Sequence, residues 1–127
     1  MVNELLVSAP REAAWNVLSK MDEAALQITV AYWKYRQDAE EWVFMLASPL
    51  VSTIGPLYIV QQIHKILDEM PETAKGDLVL TDFNVVNPHM REIDELRSRK
   101  GSINLDRSTQ IKRKNITHDE LDIYRLN

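Results

Sequence analysis

The sequence predicts an α+β fold: a mainly antiparallel sheet of about five strands with three helices, in the order α-β-β-α-β-α-β-β. Three observations support this. Apolar residues recur at helical spacing in three separate segments. The stretch "ITVAYWKYRQDAEEWVFMLAS", residues 28–48, reads as two strands rich in β-branched and aromatic residues around a polar turn. Strands adjacent in sequence pair antiparallel, while helices separate the others. A chain of 127 residues without repeat, low-complexity tract or linker is expected to form one domain, 1–127.

The first helix is expected at about 9–21, with Ser8 as cap and Pro10 in its opening turn. Its stripe is Ala14, Val17, Leu18 and Met21, flanked by Trp15. The hairpin follows, turning near Gln37–Glu40. Leu26, Thr29, Val30 and Trp33 would also suit a helical face, so a helix over 22–47 stays open. "SPLVSTIGP" then breaks the pattern. Pro56 opens a helix with an apolar stripe through Ile59, Val60, Ile63, Ile66, Leu67 and Met70, and Pro71 ends it. "LVLTDFNVV" suits a buried strand. "NPHMREIDELRSR" starts a third helix, capped by Asn87, with a narrow apolar face of Met90, Ile93 and Leu96 that suits a surface position. Alternation at Ile103/Leu105 and Leu121/Ile123 gives two final strands bridged by a basic loop or ribbon.

With 45% hydrophobic and 27% charged residues, the composition is that of a globular chain, and no apolar run nears the ~20 residues that span a bilayer. "MVNELLVSAPRE" lacks the pattern of a secretory signal, and a cytoplasmic location is expected. The absence of cysteine excludes disulfides, thiolate metal sites and a cysteine nucleophile. The net charge of −4 is uneven: residues 1–96 hold 7 Lys/Arg against 15 Asp/Glu, and residues 97–127 hold 8 against 4.

A four-residue turn pairs Arg36 with Glu41 across the hairpin. One face then shows Ala31, Trp33 and Tyr35 opposite Leu46, Phe44 and Trp42. The other shows Val30, Tyr32 and Lys34 opposite Ala47, Met45 and Val43. Each large aromatic can bury ~150–250 Å², so neither face is expected to stay in water. Three arrangements cover the second face: this chain's own helices in three layers, a homodimer or partner, or a small molecule under the rings.

Chemical motifs are scarce. His64 and Asp68 are four apart on the second helix, but a metal site needs further ligands, and an ordinary surface pair is the expectation. His89 is expected to be a half-buried filler and His118, in "THDE", part of a turn. "SPLVSTIGP" could present N–H groups with Ser52 and Thr53 to an anion, yet no P-loop or dinucleotide fingerprint is present. Glu72, Asp77 and Asp82 with Lys75 offer a nuclease's components without its order. The strongest local signal is the basic cluster Arg97, Arg99, Lys100, Arg107, Lys112, Arg113 and Lys114, of the kind that binds anionic partners. No nucleic-acid module signature accompanies it.

"EEWVFMLASPLVSTIGPLYIVQQI", "FNVVNPHMREIDELRS" and the terminal "DIYRLN" resemble a group of small uncharacterised bacterial proteins over roughly residues 26–127. That resemblance implies a bacterial chain and no particular activity.

The expectation is therefore a non-enzymatic, cytoplasmic protein-interaction or accessory domain acting as a homodimer, with Trp33, Tyr35, Trp42 and Phe44 as contact residues. No catalytic residue, metal or cofactor is expected. A nucleic-acid-associated factor using the basic segment is the alternative, and an enzyme with an unrecognised site the third.

Overall fold

The computed structural model describes Leu6, residues 8–99 and residues 121–127. Helix α1, Ser8–Glu23, leads into strands β1, Val30–Arg36, and β2, Glu41–Ala47. A one-turn helix α2, Leu50–Thr53, precedes α3, Pro56–Glu69, and a second short helix, α4, Glu72–Lys75. A 3-10 turn, Leu80–Asp82, leads into β3, Phe83–Val86; α5, Arg91–Ser98, and β4, Asp122–Leu126, complete the order. The fold is α+β, as expected. In detail it differs: among the described residues the sheet is mixed and four-stranded, in the order β3-β2-β1-β4, and there are five helices where three were expected, α2 and α4 being single turns too short to show a periodic stripe. The expected strand at Ile103/Leu105 and the basic loop lie outside the described residues.

The hairpin forms in the register read from its charges, with Arg36 opposite Glu41, Tyr35 opposite Trp42 and Trp33 opposite Phe44. β-Branched and aromatic side chains fit a pleated surface buried on both sides, which decides residues 30–47 against the helical alternative. β3 runs parallel to β2 and β4 antiparallel to β1. A parallel neighbour requires a crossover rather than a tight turn, and α3 supplies it. β2 to β3 steps one way across the sheet, and β3 to β4 steps the other. Crossovers of one hand that step in opposite directions put their helices on opposite faces.

That is the arrangement found. Under α1 and α3 lie Ala31, Trp33, Phe44, Leu46 and Tyr124, packed with the fully buried Val17, Ile59 and Ile63. Under α5 lie Val30, Tyr32, Val43, Met45 and Ile123, packed with Ile93 and Leu96. Of the three arrangements that could cover the second face, the chain's own helices do so, in three layers. A bulge in β4 assists: Ala31 pairs with Arg125 and Tyr32 with Ile123, leaving Tyr124 as the extra residue. Tyr124 and Arg125 both engage α1, while Ile123 and Leu126 join the α5 side.

Two expected elements are corrected. "LVLTDFNVV" is not one buried strand: Val79 is exposed, and the Asp82 carboxylate accepts the Val79 N–H at 2.9 Å, closing a turn that delays the strand to Phe83. Asn87 does not cap α5. Its Oδ1 accepts the His89 N–H at 2.8 Å, and Met90 is extended at ψ 141°, so the helix starts at Arg91 and His89 stands exposed before it.

Candidate functional site

The four hairpin aromatics divide. Trp33 and Phe44 are buried within the chain's own core, their ring centroids 5.0 Å apart, so neither offers a surface to a partner. Tyr35 and Trp42, at the turn end of the ribbon, are half-buried and meet edge to face at 5.5 Å. The pleat puts all four on one face; they differ by position along the strands, Trp33 and Phe44 sitting mid-strand beneath α1 and α3, Tyr35 and Trp42 next to the turn.

The basic cluster is brought together only in part. Arg97 donates to the Asn127 carbonyl at 3.0 Å, the Pro88 carbonyl at 2.6 Å and Asp94 at 3.2 Å, so its guanidinium joins α5 to the last strand. Arg99 is exposed just beyond α5. Lys100, Arg107, Lys112, Arg113 and Lys114 lie outside the described residues, as does His118. His64 meets Asp68 at 3.2 Å as an exposed i,i+4 pair, and no group of three potential metal ligands occurs among the described residues. "SPLVSTIGP" is internally satisfied. Ser48 Oγ donates to the Leu26 carbonyl at 2.7 Å and accepts the Leu50 N–H at 3.1 Å; Ser52 Oγ accepts from Asn87 Nδ2 at 2.7 Å. Lys75 donates to the Leu67 carbonyl at 2.9 Å and so closes the end of α3.

Two features were not legible as sites. The first is an apolar elbow between α2 and α3. Ile54 is 58% exposed, Leu57 67% and Tyr58 37%. Gly55, at φ 110° and ψ 155°, takes a conformation open essentially only to glycine and sets the bend. Leu57 and Tyr58 fall off the buried stripe of α3, and that offset is the signal that could have found them.

The second is a recess of about 470 Å³ between the start of α1, the turn end of the hairpin and residues 76–82. Trp33 and Trp42 wall it, with Leu6, Pro10 and Leu78 adding apolar surface. Glu41, Asp77 and Asp82 are the charged side chains lining it. Burial raises the Asp82 carboxyl above its ordinary value; the Val79 N–H opposes this, and the Glu41 charge adds to it. The indole N–H groups of Trp33 and Trp42 are buried without a hydrogen-bond partner. Trp33 is near enough to the Tyr124 oxygen to favour its anion but lacks hydrogen-bond geometry, and the Tyr124 hydroxyl donates instead to the Arg11 carbonyl at 2.6 Å. Burial first, then the Asp122 charge, keep that hydroxyl protonated well above the ordinary tyrosine range.

Beside the recess, Arg11 Nε donates to Asp122 at 2.7 Å, with both side chains almost wholly buried. On the opposite face, Glu92 accepts from the Tyr32 hydroxyl and from Lys34 Nζ, the latter at 2.9 Å. Burial pushes the Glu92 carboxyl up, but its two donors together outweigh that and hold it below the usual carboxylate value. No helix among the described residues is long and apolar enough to cross a membrane. No protein-family model, curated protein or solved structure matches the chain.

Proposed function

We propose that the chain is a non-enzymatic accessory domain that works through protein contacts and self-associates as a homodimer, using the apolar elbow. The observation that carries this reading is the exposure of Ile54, Leu57 and Tyr58 within five residues. Large apolar side chains held together in water are unfavourable at roughly 25 cal/mol per Å², and contiguous patches of this kind mark contact surfaces. The contact therefore moves away from the hairpin aromatics, whose centre is already occupied by the chain itself.

The outer edge of β3 supports the same reading. It has no strand partner among the described residues, and the Asn87–Ser52 hydrogen bond ties its end to the turn that carries the elbow. A stable two-fold interface buries about 800 Å² per partner, more than three side chains provide. The elbow would supply the apolar centre and the edge strand the polar surround. Light scattering at high micromolar concentration tests this: a dimer is expected, with Leu57→Asp monomeric and still cooperatively folded. A wild-type monomer at that concentration overturns self-association.

A further inference from the structure

We infer that the recess at the turn end of the hairpin is a binding site for a small organic cation, an ammonium or guanidinium group carried on an apolar body. This site is separate from the elbow and does not depend on the protein-contact reading.

The composition of the walls is the starting point. Among the described residues lining the recess, every charged side chain is a carboxylate, namely Glu41, Asp77 and Asp82, and none is Lys or Arg. Carboxylates facing a shared space repel one another, and a cation placed among them relieves that repulsion. The lining also includes two indoles, the half-buried Trp42 and, behind it, the almost wholly buried Trp33. The ring face of tryptophan is the most favourable aromatic surface for a cation, and an apolar body packs against it as well. A volume of about 470 Å³ falls within the range of small-molecule pockets, roughly 300–1,000 Å³.

A separate observation concerns Trp33. It is 2% exposed, forms part of the recess wall, and its indole N–H has no hydrogen-bond partner. A buried donor left unpaired is costly, and this one belongs to a residue of the recess wall. The groove between α1 and α3 has nearly the same volume, about 440 Å³, but Lys20 and Lys65 offset Glu23 and Glu69 there and no ring lines it. Of these two, only the recess combines unbalanced negative charge with aromatic lining.

The chain has three tryptophans, so three indole N–H signals report on binding in a proton–nitrogen correlation spectrum. Trp15 stacks on Tyr124 with centroids 4.4 Å apart and does not line the recess, so it is the internal control. Phenethylamine is the probe, and 2-phenylethanol, with the same body and no charge, is its neutral counterpart. Titration with phenethylamine should move the Trp42 and Trp33 signals saturably and leave Trp15 in place. The neutral probe should bind about tenfold more weakly, as expected for a cation on an aromatic wall. Glu41→Gln with Asp82→Asn should weaken phenethylamine by a similar factor and leave 2-phenylethanol unchanged. Equal affinity for the two probes, movement of all three signals together, or no saturable shift overturns the inference. The probe comparison on the unaltered protein decides the matter even where the double variant folds poorly.

Discussion

One face of the sheet lies under α1 and α3, helices of 16 and 14 residues, while the other lies under α5, which has eight. The first face is held by rings: Phe44 contacts Trp33, Tyr124 and Phe83 at centroid distances of 5.0, 5.2 and 5.9 Å. The second is held by two aliphatic anchors, Ile93 and Leu96, and by polar fastenings from Glu92 and Arg97. Both faces come from the same hairpin. The difference teaches that burial of the strands does not make their two covers equally secure: α5 has fewer apolar contacts to lose, so its detachment is the cheaper local opening.

Removing the ring at the centre of the first face should break that comparison most severely. Phe44→Ala deletes a fully buried side chain with three ring contacts. A loss of about 3–5 kcal/mol is expected, near the whole stability of a small domain. Calorimetry should show one transition at much lower temperature, with α1, α3 and the hairpin unfolding together. Loss of α5 alone would reverse the ranking of the two faces.

Asp122→Ala should cost slightly less, about 3 kcal/mol, because it removes the buried carboxylate that compensates the buried Arg11 guanidinium. Replacing both members, as Arg11→Met with Asp122→Leu, should recover most of that loss. Urea titration of the three proteins checks the sign. A double variant no better than the single would mean that the pair holds β4 to α1 by more than charge compensation.

Ile93→Ala should cost about 2–3 kcal/mol, within the usual range for truncating a buried aliphatic. Its signature differs from that of Phe44→Ala. Amide exchange should accelerate through Arg91–Ser98 while β1 and β2 stay protected. Uniform acceleration across the sheet would merge the two faces into one cooperative unit.

How much of this was legible follows the same division. The hairpin, its register and the α1 and α3 stripes are local patterns, so Val17, Ile63 and the Arg36–Glu41 pairing could be read directly. The parallel placement of β3 depends on a crossover, and no period in the sequence specifies which edge a four-residue strand joins. The cover of the second face was harder to see because Ile93 and Leu96 make a narrow stripe, typical of a surface helix, although they are 0% and 2% exposed. The recess was least legible. Glu41 comes from the hairpin and Asp77 and Asp82 from a segment 36 residues later, and only the closing of residues 76–82 beside Trp42 brings them together. Asp77 and Asp82 were visible as acids; their aromatic neighbours were not predictable from spacing.

The smallest expected effect sharpens the comparison through pH. Glu92 is held below the ordinary carboxylate value of 4.5 because its bonds to Tyr32 and Lys34 outweigh its desolvation. A group whose value is lowered on folding contributes stability that is fully present above the unfolded value and is lost as pH falls through the folded one. Acidification from neutrality to below the usual carboxylate range should therefore loosen α5. Asp82, raised on folding, acts with the opposite sign, since its contribution is lost as pH rises. A global melting curve mixes the two groups, whereas amide exchange confined to α5 isolates Glu92. Glu92 and Lys34 are both partly exposed, so solvent screening limits the effect to about 1 kcal/mol. Glu92→Gln keeps an acceptor for Tyr32 but loses the charge. It should reproduce the acid-loosened exchange rate of α5 at neutral pH and abolish most of its pH dependence. If α5 in that variant still loosens on acidification as the native protein does, Glu92 is not the fastening, and the burial of Ile93 and Leu96 alone keeps the second face closed.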